Sequence, residues 1–176
     1  VPFRSIRKAT AKKLVMSWNK IPHVTHMDEA DVTELVKIRE KEKILAEKQG
    51  IKLTYLPFVM KAVIAAMKEG NIYLNATLDE EHDDIILKKY YNIGFAVDTP
   101  DGLLVPVVKG ADEKSILDIA KEIQSLAQVA KDRKIDLGDL KGGTFTITNV
   151  GSVGGIFATP IINYPEAAIL AIGKIC

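Results

Sequence analysis

The chain has 176 residues, 47% of them hydrophobic, which suits one domain of ordinary size with a single core. Its 24 basic and 23 acidic residues leave a net charge of +1, which excludes the strong single-sign field typical of proteins that bind nucleic acid or anionic membranes. The single cysteine, Cys176, excludes an internal disulfide framework, and no apolar run approaches the roughly 20 residues of a membrane span, so we expect a soluble, cytoplasmic protein.

The N-terminal part predicts a helix followed by a strand. Residues 5–20 carry apolar side chains among basic ones at helical spacing, and Pro22 then prevents the helix from continuing. Residues 23–32 alternate with period two, which predicts a strand with one wet face. On a strand, His23 and His26 would point to opposite faces, so they cannot bind one metal ion together. We therefore expect no metal site here.

Two further helices are predicted next. Thr33 is placed to cap the first, whose apolar stripe ends before Gly50, a residue suited to a left-handed stop. Thr54 is placed to cap the second, with Pro57 in its permissive first turn and Gly70 at its end. The second helix is apolar over most of its circumference, so we expect it to be deeply buried.

A β-hairpin and another helix follow. The stretches IILKKYYNIGFAVDT and GLLVPVV predict two strands, joined by a Pro-Asp-Gly turn at residues 100–102. Pro106 cannot donate a ladder hydrogen bond, so the second strand should lie at an edge or carry a bulge. Ser115 and Asp118 have the spacing of a capping box ahead of an apolar helical pattern. These signals predict a hairpin and then a long amphipathic helix.

The C-terminal part contains two β-rich segments, GTFTITNVG and PEAAILAIGKIC, separated by a loop. Helices and strands are therefore interspersed, with a hairpin in the middle of the chain. This order favours an α+β fold, a two-layer sandwich of a mixed β-sheet with packed helices, over a regularly alternating parallel fold. No internal repeat, low-complexity run or interdomain linker interrupts the pattern, so a single domain is expected.

The stretch GGTFTITNVGSVGG places hydroxyls at the end of a predicted strand, just before several glycines. It does not match a phosphate-binding GxGxxG or GxxxxGK[ST] loop, nor a GxSxG nucleophile elbow. By strand alternation, Thr146 and Thr148 share one face. Two interpretations stay open: threonines that simply face solvent on a good strand, or a hydroxyl held at a strand terminus to donate a hydrogen bond to a developing negative charge.

The chain resembles the catalytic domain of the dihydrolipoamide acyltransferases, the core components of 2-oxo acid dehydrogenase complexes. The resemblance runs through essentially all 176 residues and is carried by IPHVTHMDEADVTEL, TYLPFVMKAV, YYNIGFAVDTPDGLLVPVV and GGTFTITNVGSVGGIFATPIINYPEAAILAIGKI. It implies a chloramphenicol-acetyltransferase-like fold and trimers that build a cubic or dodecahedral cage. It also implies acyl transfer between dihydrolipoamide and coenzyme A, without a metal, at a site between two subunits.

The resemblance further implies the surroundings of such a domain. The lipoyl group would be carried on a separate domain, and the 2-oxo acid dehydrogenase and dihydrolipoamide dehydrogenase subunits would bind through domains not found in these residues. A eukaryotic member would lie in the mitochondrial matrix. Pyruvate-, 2-oxoglutarate- and branched-chain-type members share the motifs quoted above, so the acyl group carried is left open, as are the coenzyme A contacts and the type of cage.

The resemblance assigns roles to four residues. In the family, a hydroxyl in an FTxS motif stabilises the negative charge on the thioester carbonyl oxygen, and the matching residue is Thr148, where serine is more usual. Threonine keeps the O–H donor, so the role is chemically preserved. Asn149 and Gly151 match the family pattern beside it and are expected to support the strand end. His23, in IPHVT, matches a position that lines the substrate channel.

The family's general base, a histidine in a DHRxxDG motif, is missing from these residues. The three histidines, His23, His26 and His82, lie outside any such motif. We therefore expect residues 1–176 to be a catalytic domain that is incomplete at its C-terminus, with little or no transferase activity and altered cage contacts, and without a lipoyl or peripheral-subunit-binding domain. Two alternatives are a core that serves only as a scaffold and a free-standing acetyltransferase of the chloramphenicol type.

Overall fold

The computed structural model describes residues 3–176. Within that range the α-helices are α1 (Ser5–Lys20), α2 (Thr33–Glu47), α3 (Leu56–Lys68) and α4 (Ile116–Lys131). The strands are β1 (Ala76–Asp79), β2 (Asp84–Leu87), β3 (Ile93–Phe95), β4 (Val97–Thr99), β5 (Gly102–Leu104), β6 (Val107–Val108), β7 (Phe145–Asn149) and β8 (Ile169–Ile172). Short 3₁₀ helices cover Ile72–Asn75, Leu137–Leu140 and Gly151–Val153.

The main sheet has four strands in the order β6-β3-β7-β8 and is mixed. Strand β3 runs antiparallel to β6 and parallel to β7, and β7 runs parallel to β8. Two separate antiparallel pairs, β1 with β2 and β4 with β5, lie outside this sheet. The β3–β7 pairing joins residues about 50 positions apart in sequence, as the register of Gly94 with Thr146 illustrates. The α+β sandwich with a mixed sheet is thus confirmed.

Helices α3 and α4 pack against one face of the main sheet and form the core with it. The buried side chains of this core come from both layers: Met60, Ile64 and Met67 from α3, Ile119, Leu126 and Ala130 from α4, and Ile93, Phe95, Val108, Phe145 and Ile147 from the sheet. Helix α3 is therefore buried along one face only, because Ala62, Ala65 and Ala66 on its other face are exposed; the deep burial predicted from its apolar circumference is wrong for that outer face. None of the helices described within residues 3–176 is long and apolar enough to cross a membrane.

Several local predictions are confirmed. Ser115 and Asp118 form a reciprocal capping box at the start of α4. Residues 97–99 and 102–104 pair across the predicted Pro-Asp-Gly turn. Pro106 precedes β6, an edge strand of the main sheet; its carbonyl accepts a hydrogen bond from the Phe95 N–H at 2.9 Å, and the ladder ends there because proline has no N–H to donate in return.

Other local predictions are wrong. Residues 23–32 have no regular secondary structure and no strand partner among residues 3–176, because alternation alone cannot supply the neighbouring strand that a ladder needs. Thr33 does not cap α2: its N–H and its hydroxyl both donate to the Asp31 carboxylate, a stronger, charged acceptor. Helix α3 begins at Leu56 with Tyr55 as its N-cap residue, so Thr54 lies one residue too early to cap it.

The predicted strand IILKKYYNIGFAVDT is also divided. It forms β2, β3 and β4, which belong to three different sheets. Residues 88–92 connect β2, which pairs with β1, to β3 in the main sheet. The second predicted strand divides into β5 and β6 around Pro106. The continuous apolar runs therefore predicted β structure correctly, but they did not predict where the chain passes from one sheet to another.

Candidate functional site

The candidate site lies at the C-terminal end of β7, in the middle of the main sheet. Phe145 and Ile147 point into the core and are 5% and 1% exposed. Thr146, on the opposite face, is also buried, at 2% exposed, whereas Thr148 is half-buried and Asn149 exposed. The predicted alternation of faces along the strand is confirmed. The interpretation in which both threonines face solvent is wrong for Thr146, which is buried. The strand therefore emerges from the interior at Thr148, a residue at the boundary between the core and the surface.

A tight turn follows the strand and fixes its end. The side-chain Oδ1 of Asn149 accepts a hydrogen bond from the Gly151 N–H at 3.0 Å. A Cβ atom on Gly151 would lie only 2.2 Å from the carbonyl oxygen of Gly173, just after β8. Only glycine therefore allows the turn after β7 to approach the end of β8 this closely. This geometry is compatible with the supporting role predicted for Asn149 and Gly151, which stays a prediction.

Both ring nitrogens of His23 make hydrogen bonds, one to a distant loop and one to its own segment. Its Nε2 accepts a hydrogen bond from the Ile162 N–H at 3.0 Å, so its Nδ1 carries the proton and donates to the Ile21 carbonyl at 2.8 Å. The Trp18 ring stacks on the imidazole with centroids 5.3 Å apart. Because Nε2 is already an acceptor, His23 in this arrangement has no free nitrogen to accept a proton from a thiol.

The other two histidines lie at the surface. His26 is near Asp28, with 3.9 Å between Nε2 and Oδ2, and His82 Nδ1 lies 3.0 Å from Asp79 Oδ2. Among residues 3–176, no group of three or more His, Cys, Asp or Glu side chains is arranged to hold a metal ion.

Sequence reasoning missed a buried carboxyl group next to the site, that of Glu166. Its side chain is 4% exposed, and its Oε2 accepts a hydrogen bond from the Thr146 hydroxyl at 2.6 Å. Burial raises the pKa of Glu166, an effect that the hydrogen bonds and the nearby Lys13 and Lys88 partly oppose. The available signal was the position of Glu166 in PEAAILAI, where one acidic residue directly precedes an apolar run.

Comparison with known families places the whole chain in one of them. The model of the family described as 2-oxoacid dehydrogenases acyltransferase (catalytic domain) matches residues 1–176. The acetyltransferase component of the Bacillus subtilis pyruvate dehydrogenase complex is 54% identical over 170 residues, which cover 97% of this chain and 38% of the relative. The chain therefore spans well under half the length of that curated relative.

Solved structures agree with this assignment. The dihydrolipoamide acetyltransferase of Azotobacter vinelandii, investigated for the role of a serine, a histidine and an asparagine in its catalytic mechanism, superposes with a TM-score of 0.96 at 45% identity, over 99% of this chain and 71% of that one. The cubic core of a pyruvate dehydrogenase multienzyme complex gives a TM-score of 0.96 at 44% identity, with the same coverage. The expected chloramphenicol-acetyltransferase-like fold is thereby confirmed, and the chain belongs to the acyltransferase catalytic-domain family of the 2-oxo acid dehydrogenases.

Proposed function

We propose that residues 1–176 are part of the catalytic domain of a 2-oxo acid dehydrogenase acyltransferase that transfers an acyl group between dihydrolipoamide and coenzyme A. The observation that carries the proposal is the position of Thr148, a half-buried residue near the end of β7 that carries a hydroxyl. This is the position that the family resemblance assigns to the donor for the carbonyl oxygen. The Azotobacter relative was investigated for a catalytic serine, and threonine offers the same O–H group.

The proposed reaction is a thioester exchange. A general base removes the proton of the attacking thiol, and the thiolate sulfur forms a bond to the thioester carbonyl carbon. The carbonyl electron pair moves to the oxygen, where Thr148 donates a hydrogen bond to the negative charge. The carbonyl then re-forms, the original C–S bond breaks, and the departing thiolate takes up a proton. Thr148 thus stabilises the intermediate without changing its own covalent state.

The general base has to come from elsewhere than the described histidines. His23 already uses Nε2 as an acceptor, and His26 and His82 lie at the surface in other motifs. We propose that a family segment with the DHRxxDG motif supplies the histidine. A chain made of residues 1–176 followed by such a segment is called the extended chain below.

Relatives suggest the acyl group and the assembly. The Bacillus subtilis relative is an acetyltransferase component of a pyruvate dehydrogenase complex, and a structural relative forms a cubic core. We therefore propose acetyl as the acyl group and homotrimers that build a larger core, served by a lipoyl group on a separate domain and by the two dehydrogenase components. Exposed apolar side chains on α1 support burial in an assembly: Leu14, Val15, Met16 and Trp18, the last 63% exposed.

A scaffold without chemistry is the second candidate, since the described histidines leave no free base beside Thr148. The two candidates differ in one assay. With acetyl-coenzyme A and dihydrolipoamide, a scaffold gives no thioester exchange whether or not the motif segment is attached. An acyl-transfer core gives exchange in the extended chain and little in residues 1–176 alone. Sedimentation of both chains would reveal whether the trimer needs the added segment.

The decisive variants are Thr148→Val and Thr148→Ser in the extended chain. Valine keeps the branched shape but removes the donor, so kcat should fall about 10²–10³-fold, while serine restores the donor and most of the rate. Circular dichroism and thermal unfolding check that both variants fold like the parent. A valine variant with unchanged kcat would refute the assignment of Thr148 and, with it, the observation on which the proposal rests.

A further inference from the structure

Glu166 joins two segments of the chain through a pair of buried hydrogen bonds. One carboxylate oxygen, Oε2, accepts from the Thr146 hydroxyl on β7 at 2.6 Å, and the other, Oε1, accepts from the Asn163 side-chain amide at 2.8 Å. The Glu166 backbone N–H also donates to the Asn163 carbonyl at 3.0 Å. Residues 162–166, called the loop turn below, are therefore closed on themselves and attached to the central strand through one carboxylate.

Two glycines leave the room that this contact occupies. A Cβ atom on Gly143 would lie 3.0 Å from Glu166 Oε1, and one on Gly94 would lie 3.1 Å from the Thr146 Oγ1 and 2.9 Å from a Val105 methyl carbon. Contacts this short would push the carboxylate or the hydroxyl away. Both positions flank β7, Gly94 on the adjacent strand β3 and Gly143 just before β7 begins. The backbone is thus shaped around the Thr146–Glu166 hydrogen bond.

The opposite side of the loop turn is held by the N-terminal part of the chain. The Tyr164 N–H donates to Ser17 Oγ at 3.2 Å, and the Ile162 N–H donates to His23 Nε2 at 3.0 Å. The loop turn therefore lies between His23, the position that the resemblance assigns to the substrate channel, and the strand that carries Thr148. A shift of the loop turn would change the distance between these two parts of the proposed site.

Glu166 is also connected to Thr148 through the sheet. Thr146 and Thr148 share a face of β7. Thr148 is paired with Ala171 on the neighbouring strand β8, which begins shortly after Glu166 in the chain. The loop turn leads directly into that strand, so the contact with Thr146 fixes where β8 enters beside β7. We propose that Glu166 is a positioning residue for acyl transfer, whose carboxylate holds the loop turn against β7 and thereby sets the geometry around the Thr148 hydroxyl. This inference rests on the proposed function.

Hydrogen bonding and shape, rather than charge, are the means of positioning. Glutamine has the shape of glutamate, and its amide oxygen can accept from Asn163 while its NH₂ group donates to the Thr146 hydroxyl, which can accept as well as donate. Alanine keeps neither contact. A residue that sets geometry should therefore tolerate glutamine and not alanine, because a displacement of about 1 Å at a reacting centre costs about 10²-fold in rate.

The test compares Glu166→Ala, Glu166→Gln and Thr146→Val in the extended chain. We expect alanine and valine to lower kcat roughly ten- to hundredfold with KM changed less than about threefold, and glutamine to keep kcat within about threefold of the parent. The double variant Glu166→Ala/Thr146→Val should be no slower than the slower single variant, because each single change already removes the Thr146–Glu166 hydrogen bond. Glutamine and valine preserve side-chain shape and keep the test open should alanine fail to fold.

Amide hydrogen exchange in residues 1–176 supplies a readout that does not depend on activity. The alanine and valine variants should exchange faster at the Ile162 and Tyr164 amides while helix α4 keeps its protection. Unchanged exchange and unchanged kcat in these variants, or a glutamine variant as slow as alanine, would overturn the inference. If Thr148→Val leaves kcat unchanged while exchange responds as expected, the proposed function fails and the structural link of Glu166 stands.

Discussion

The two faces of the main sheet are built on different principles. On the helix face, apolar side chains such as Phe95 and Ile147 pack in one cluster with apolar side chains of α3 and α4. On the other face, Gly94, Thr146 and Glu166 are buried too, but there a hydroxyl is matched to a carboxylate and a glycine leaves space. Burial on the first face stabilises the fold, and burial on the second face fixes the positions of polar groups next to Thr148.

The largest predicted effect tests the helix face. Phe95 is 2% exposed in the middle of the core, so Phe95→Ala removes apolar contacts and leaves a cavity. We expect a loss of about 3–5 kcal/mol in the free energy of unfolding, measured by denaturant titration. Leu103→Ala, at a position 48% exposed, is the matched control and should lose less than about 1 kcal/mol. Similar losses at both positions would contradict a core concentrated on this face.

A smaller effect is expected on the polar face. Thr146→Val keeps the side-chain shape but leaves one oxygen of the buried Glu166 carboxylate without its donor, which should cost about 1–3 kcal/mol. Thr77→Val is the control, because the buried Thr77 hydroxyl has no hydrogen-bond partner within residues 3–176. Its removal should be neutral or stabilising. A Thr77→Val loss as large as that of Thr146→Val would show that hydroxyl removal, rather than pairing, determines the effect.

Local sequence patterns predicted those parts of the fold that depend on near neighbours. The Ser115–Asp118 capping box, the turn at 100–102 and the apolar helix 56–68 all form through contacts within a few residues, and all are present. Residues 23–32 show the opposite case. Their alternation satisfies a local rule, but a strand also needs a partner, and that depends on how distant segments meet.

In the candidate site, too, local features follow from the sequence pattern, whereas contacts between distant segments do not. The face shared by Thr146 and Thr148 follows from strand alternation, whereas the burial of Thr146 follows from a glutamate located 20 positions later in the chain. The role of His23 in binding the Ile162 N–H likewise joins residues 139 positions apart. No periodicity connects such residues, so the sequence predicts Thr148 as a candidate but neither the Thr146–Glu166 nor the His23–Ile162 hydrogen bond, which depend on how distant segments meet.

The helix layer offers a prediction of moderate size, at the N-terminus of α4. The Ser115 side chain accepts a hydrogen bond from the Asp118 N–H at 3.1 Å and caps the helix that covers the core face. Ser115→Ala should lower the free energy of unfolding by about 1 kcal/mol. Ser125→Ala, at an exposed position inside the same helix, should be neutral or slightly stabilising, since alanine favours helix interiors. Equal losses for the two variants would argue against capping as the cause.

The smallest predicted effect, a pH dependence, sharpens the contrast between the two faces. Burial raises the pKa of Glu166, so the folded state binds a proton more tightly at this carboxyl than the unfolded state does. The groups around the carboxyl are the Thr146 hydroxyl and the Asn163 amide, with Lys13 of α1 and Lys88 after β2 acting through their charge. All four favour the ionised form, and burial outweighs them.

The sign of the effect on stability follows from this shift. As pH rises from the ordinary carboxyl value of about 4.3 through the raised pKa of Glu166, the folded state loses stability relative to a variant that cannot ionise. Glu166→Gln should therefore match the parent most closely in acid and gain on it as pH rises, reaching a plateau above the raised pKa. Denaturant titrations at several pH values measure this difference, with Glu40→Gln, at an exposed site, as a control expected to give a nearly constant difference. The difference in unfolding free energy between Glu166→Gln and the parent could instead stay constant or shrink as pH rises. In that case burial does not destabilise the ionised carboxylate, and hydrogen bonds dominate this face of the sheet as apolar contacts dominate the other.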